Sequence, residues 1–73
     1  MFIVELKVDG ESLYLIGFSW IRNKKRAQRF ETKSAASFIL YRARKFMDPD
    51  FFRRAHIVEE TMEDNFYANG GIG

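Results

Sequence analysis

Residues 2–8 alternate without a break: Phe2, Val4, Leu6 and Val8 fall on one side, Ile3, Glu5 and Lys7 on the other. A period of two is the side-chain period of a β-strand, so this run predicts a strand with one face on a core. Asp9-Gly10 follows at once. Both residue types tolerate the positive φ of a tight reverse turn, so the chain is expected to double back here. Glu11 and Ser12 are expected to widen that turn.

The next run, 13–21, is apolar on both sides. Tyr14, Ile16, Phe18 and Trp20 share one face, and Leu13, Leu15, Gly17 and Ser19 the other. A strand apolar on both sides is central or faces a partner. The charged loop Arg22-Asn23-Lys24-Lys25-Arg26 comes next, followed by a short strand over 27–31 centred on Phe30. Thr32 suits a helix N-cap, because its hydroxyl can accept from an unpaired N–H of the first turn. From Lys33 to Met47, Ala36, Ile39, Leu40, Ala43, Phe46 and Met47 recur at helical spacing. Pro49 cannot continue that helix and disfavours α geometry at Asp48, so the helix is expected to stop there. A last strand over 55–61 is anchored by Ile57 and Val58, and residues 62–73, polar and ending Gly-Gly-Ile-Gly, read as a loose tail. The expected fold is therefore α+β, a three- or four-stranded, mainly antiparallel sheet packed on a single helix (β-β-(β)-α-β), with residues 1–61 as its one domain. Its core should unite Val4, Leu6, Ile16, Phe18, Phe30, Ile39, Ala43 and Phe46, so that truncating Phe18 would unfold the chain.

A chain of 73 residues buries only about 60% of the surface its unfolded form exposes. Small domains usually add disulfides, a metal or a partner. With no cysteine, disulfides and thiolate metal sites are excluded, and the single histidine, His56, leaves no imidazole cluster for zinc. What remains is an aromatic-rich core, supplied by eight Phe, three Tyr and one Trp, or oligomerisation. Ile3, Leu13 and Leu15 are expected on the sheet face away from the helix, where a second copy, a partner or the tail would cover them. Glu5, Lys7 and Asp9 interrupt what would be the apolar core of a signal peptide, and no apolar run approaches the roughly 20 residues that cross a bilayer. A cytoplasmic protein, not attached to a membrane, is the expectation.

Charge is unevenly spread. The stretch from Arg22 to Arg54 carries eleven basic residues against the three acids Glu31, Asp48 and Asp50, although the whole chain is only +2. A basic loop followed by a basic helix face is the footprint of a polyanion binder. The competing reading is that Glu59-Glu60 and Glu63-Asp64 neutralise this stretch across the fold. The same acids lack the spaced, glycine-bearing loop of a calcium site, so they are read as a solvated face. His56 has no nucleophile to serve, and no glycine precedes a helix as a phosphate cradle would require. The reading is accordingly non-enzymatic, with no catalytic residue, metal or cofactor.

Phe51 and Phe52 stand beside Arg53 and Arg54, a pairing common at interfaces and on stacking platforms. One ring is expected in the core. The run Arg29-Phe30-Glu31-Thr32-Lys33-Ser34-Ala35-Ala36, with a hairpin before it and a helix through it, resembles a pattern of small accessory proteins of phages and mobile elements. That likeness implies a short, charged binding protein that occupies a larger host protein and modulates or inhibits it. Residues 2–46 also resemble the arm-type DNA-binding domain of tyrosine integrases, in which a three-stranded sheet enters the major groove and a helix backs it. Here the third strand is short and a further strand follows the helix. The expected function is a protein-binding module, with nucleic-acid binding by the basic loop and helix as the alternative. The residues expected at the partner are Arg22, Lys24, Lys25, Arg26, Arg42, Lys45, Phe52, Arg53 and Arg54. A homodimer would be formed through Ile3, Leu13 and Leu15.

Overall fold

β1 (Phe2–Val8) and β2 (Glu11–Ile16) form an antiparallel hairpin in a computed structural model that describes residues 1–60. The expected tail lies outside the described residues. Asp9 (φ 52°) and Gly10 (φ 83°) are both left-handed, as a two-residue type I′ turn requires. Val8 pairs with Glu11, so Glu11 and Ser12 belong to β2 and do not widen the turn. The run 13–21 is likewise two strands, not one. Gly17, alone at positive φ (59°), opens a second two-residue turn, Gly17-Phe18, between β2 and β3 (Ser19–Ile21). A Cβ on Gly17 would touch nothing within 4 Å, so backbone conformation rather than space calls for glycine there. β4 (His56–Glu59) pairs with the other side of β1, and the antiparallel order is β3-β2-β1-β4.

These registers decide which face each side chain takes. Leu6 opposes Leu13, Leu15 opposes Trp20 and Val4 opposes Ile57, so all six share one face. Against that face packs α1 (Lys33–Ala43), capped by the Thr32 hydroxyl, which accepts from the Ala35 N–H at 3.0 Å. Ala36, Leu40, Val4, Leu15 and Phe30 form its buried centre, with Phe2, Trp20, Ile39, Met47, Phe52 and Ile57 around it. On the opposite face Ile3 and Tyr14 are buried beneath Ala27, flanked by Ile21 and Val58.

Residues 27–30 join the two faces. Phe30 and Phe2 exchange both backbone hydrogen bonds (2.7 and 2.8 Å), and Gln28 donates its N–H to the Leu15 carbonyl. The Gln28 side chain accepts from the Gly17 N–H at 2.9 Å. The expected third strand at 27–31 is thus an isolated bridge that ties β1 to β2. Arg29 clamps the segment. Its Nε and Nη2 donate to the two carboxylate oxygens of Glu60 at 2.8 and 3.1 Å, and its Nη1 donates to the Lys25 and Ala27 carbonyls.

Beyond Ala43 the chain tightens into a 3₁₀ turn, Arg44–Phe46. The helix therefore ends before the expected stop at Asp48, with Met47 already extended, and Pro49 instead opens a second helix: Asp48 caps α2 (Pro49–Arg54), with Pro49 in the first turn, where its missing N–H costs nothing. Two expected core residues are displaced by these local events. Phe18 sits at a turn instead of inside a strand and is 50% exposed; Phe46 leaves the helical stripe when three residues per turn replace 3.6, and is 66% exposed. Val4, Leu6, Phe30 and Ala43 are buried as expected, and Ile16 and Ile39 are half-buried. The expected exposed triad is not formed. Ile3 is fully buried under Ala27, whereas Leu15, also fully buried, and the half-buried Leu13 share the α1 face.

Leu15→Ala should cost about 2–5 kcal/mol in a denaturant melt, enough to unfold much of a domain this small. Phe18→Ala, the reverse of the sequence expectation, should cost only about 1 kcal/mol, the worth of one surface ring contact. A double-mutant cycle on Arg29 and Glu60 should return a coupling of about 1–2 kcal/mol. The same cycle on the well-solvated pair Arg22–Glu11 should return close to zero.

Candidate functional site

The apolar positions that bury α1 are Ala36, Leu40 and Ala43, which leaves the outer side of the helix to Ser34, Ser37, Phe38 and Tyr41. These four recur at i, i+3, i+4 and i+7 and so form one stripe. Two of them are large rings in water, Phe38 at 58% and Tyr41 at 54% exposure. Two shallow grooves flank the stripe and share Tyr41. One is lined by Lys33, Ser34, Ser37, Phe38, Leu40 and Tyr41 together with Phe52 from α2. The other runs from Tyr41 through Arg42, Arg44, Lys45 and Phe46 to Phe18 on the β2–β3 turn.

The exposed rings are not isolated. Phe18 and Phe46 stack with centroids 4.9 Å apart and planes 20° from parallel, although 28 residues separate them in sequence. The Arg44 guanidinium lies 3.8 Å from the Tyr41 ring centroid, and its Nη1 donates to the Tyr41 carbonyl at 2.9 Å. Arg42 stands 5.6 Å from the Phe38 ring centre. Cation–π contacts of this kind hold the guanidinium in a fixed place beside the ring. The result is an apolar surface studded with cations, and among the described residues neither groove has an acidic lining residue.

Of the residues expected at a partner, Arg42, Lys45 and Phe52 meet on this surface. Phe52 also supplies the expected core contact. The others lie apart from it. Arg22 pairs with Glu11 across the hairpin at 2.9 Å, and Arg53 and Arg54 both pair with Asp50, at 2.6 and 3.0 Å. Lys24, Lys25 and Arg26 form a 3₁₀ turn capped by the Asn23 side chain, and lead into Ala27 on the sheet face opposite α1. Phe18, Phe38, Tyr41 and Phe46 were not expected here. Phe38 and Tyr41 carry a legible signal, since they stand three apart and off the Ala36–Leu40–Ala43 stripe. Phe18 and Phe46 carry none, because both match a core pattern.

His56 faces Glu5 across β4 and β1, with Nε2 2.8 Å from Glu5 Oε1 on the solvated part of the sheet. No group of three or more potential metal ligands forms among the described residues, and no helix there is long and apolar enough to cross a membrane. No family model matches the chain, and neither does any curated protein or solved structure.

The separation of the two basic clusters makes a definite expectation for duplex DNA. With Lys24, Lys25 and Arg26 joined on their face only by Lys7 as a further unpaired cation among the described residues, a gel shift across salt concentrations should show weak binding with a log–log slope no steeper than about −4, at about −0.9 per phosphate. Lys24→Glu with Lys25→Glu should abolish even that and leave the melt unchanged.

Proposed function

We propose that this chain is a non-enzymatic binding protein that occupies a surface of a larger protein and modulates it by occupation, in the manner of the phage and mobile-element accessory proteins it resembles. Its docking surface is the outer face of α1, and its place of action is the cytoplasm of the cell that makes it.

The observation that carries this reading is the exposure of four large rings, Phe18, Phe38, Tyr41 and Phe46, on one side of the molecule, interleaved with arginine. A domain this small, with so thin a core, gains more by burying such rings than by presenting them. Aromatic residues and arginine are also the types enriched at the centre of protein interfaces, where a few of them carry most of the binding energy. Charge placement supports protein over duplex DNA. A nucleic-acid track needs its cations on one continuous path. Here the loop cluster and the helix cluster lie on opposite faces, and four arginines (Arg22, Arg29, Arg53, Arg54) are held by carboxylates of the chain itself.

The test is affinity capture from bacterial lysate with and without nuclease treatment, run in parallel with wild type and with a Phe38→Ser, Phe46→Ser variant. Both rings are exposed, so the variant should melt within about 1 kcal/mol of wild type. Wild type should retain a single larger protein in stoichiometric amount, and the variant should lose it. Equal retention by both proteins, or retention that disappears with nuclease, would count against the proposal.

A further inference from the structure

We infer that the element this surface receives is an acidic amphipathic helix of about three turns, carried by the larger protein. The inference rests on the docking face proposed above and names the chemistry of its occupant.

Charge complementarity is the first argument. Lys33, Arg42, Arg44 and Lys45 border the two grooves, and none of them forms an ion pair among the described residues. Arg22, Arg29, Arg53 and Arg54 by comparison have carboxylate partners, and the remaining cations without one among the described residues, Lys7, Lys24, Lys25 and Arg26, stand away from these grooves. Four cations gathered around apolar rings repel one another and any cationic visitor, and carboxylates at the rim would relieve that repulsion. Arg44 is already held against Tyr41 by its ring and carbonyl contacts, so it loses little side-chain freedom on binding an anion.

Shape is the second. α1 spans 11 residues, which is about 16 Å of helix. Two shallow grooves on either side of Tyr41 suit apolar anchors repeating at i, i+3, i+4 and i+7 on an incoming helix, with acids on its flanks. A second copy of this chain fits poorly, because a two-fold contact through this face would bring two cation-rimmed surfaces together with no acid among their described lining residues. Single-stranded nucleic acid fits less well than an acidic helix. Each of the four rings has a neighbour on one face already, Phe18 and Phe46 each other, Tyr41 the Arg44 guanidinium and Phe38 that of Arg42. Only one face of each ring is left for a base to stack on.

Three fluorescent probes test the inference on the full chain by anisotropy, with NMR shift mapping of the labelled protein. The first is a peptide of about 15 residues with Leu and Phe at helical anchor positions and Glu elsewhere; the second replaces every Glu by Lys; the third is an oligo-dT of similar length. The acidic peptide should bind at least about tenfold more tightly than its Lys twin, weaken as salt rises, and shift Phe38, Tyr41, Arg42 and Lys45. Arg42→Glu with Lys45→Glu should invert the preference at an unchanged melt. Equal binding of the two peptides would overturn the acidic helix and leave the protein-docking proposal standing. Absence of binding by both peptides would overturn the inference as well, with the capture experiment still deciding the function. Tighter binding of oligo-dT at the same residues would overturn both.

Discussion

Phe30 and Phe2 hold each other by two backbone hydrogen bonds while Gln28 bonds the Leu15 carbonyl, and much of the molecule hangs on that small junction. β1 and β2 pair closely only near their shared turn, through Glu5 and Tyr14. Residues 27–30 supply the backbone partners that their far ends lack, and unpaired buried amides there would each cost about 1–3 kcal/mol. The same four residues place Ala27 over Ile3 and Tyr14 on one face and Phe30 beneath α1 on the other. Two thin hydrophobic layers are thereby closed by one crossing of the chain. Thr32 follows directly as the α1 cap, so the start of the helix inherits its position from the junction.

Arg29 shows how the basic stretch serves the fold as well as the surface. It joins β4's end to the loop through Glu60, and satisfies two loop carbonyls that have no strand to bond. Arg22 pairs with Glu11 and Arg29 with Glu60, both acids from outside the basic stretch, while Arg53 and Arg54 share Asp50 within it. What escapes compensation among the described residues is concentrated at the loop turn 24–26 and around the outer face of α1. At α1 that remaining charge is set among exposed rings.

The exposed rings have a structural logic of their own. Phe18 and Phe46 bury part of each other, and Arg44 shields Tyr41. Such pairing limits the apolar surface shown to water. A chain this size has a core too thin to hide every aromatic, and the rings left outside are grouped rather than scattered.

Much of the architecture is legible in the amino-acid sequence because it is specified by neighbours. Alternation in 2–8, the positive-φ tolerance of Asp9-Gly10, the Thr32 cap and the proline after Asp48 each act within a few residues. They yield the strand, the turn, the helix and the α+β class. The basic stretch and the Phe51-Phe52 pair point to nine residues of which only Arg42, Lys45 and Phe52 come together on the α1 face. The two faces were not legible in the same way. Whether Leu15 or Ile16 meets the helix depends on the register of β2 against β1 and on the turn at Gly17, which splits an apolar run that reads as continuous. Phe46 fits the helical stripe until the backbone tightens after Ala43, and Phe18 fits a strand until the chain turns beneath it. Burial is settled by pairing between distant segments, and side-chain period cannot register a break in the element that carries it. The local devices were therefore determined by sequence alone, while the tertiary structure decided which rings became core and which became surface.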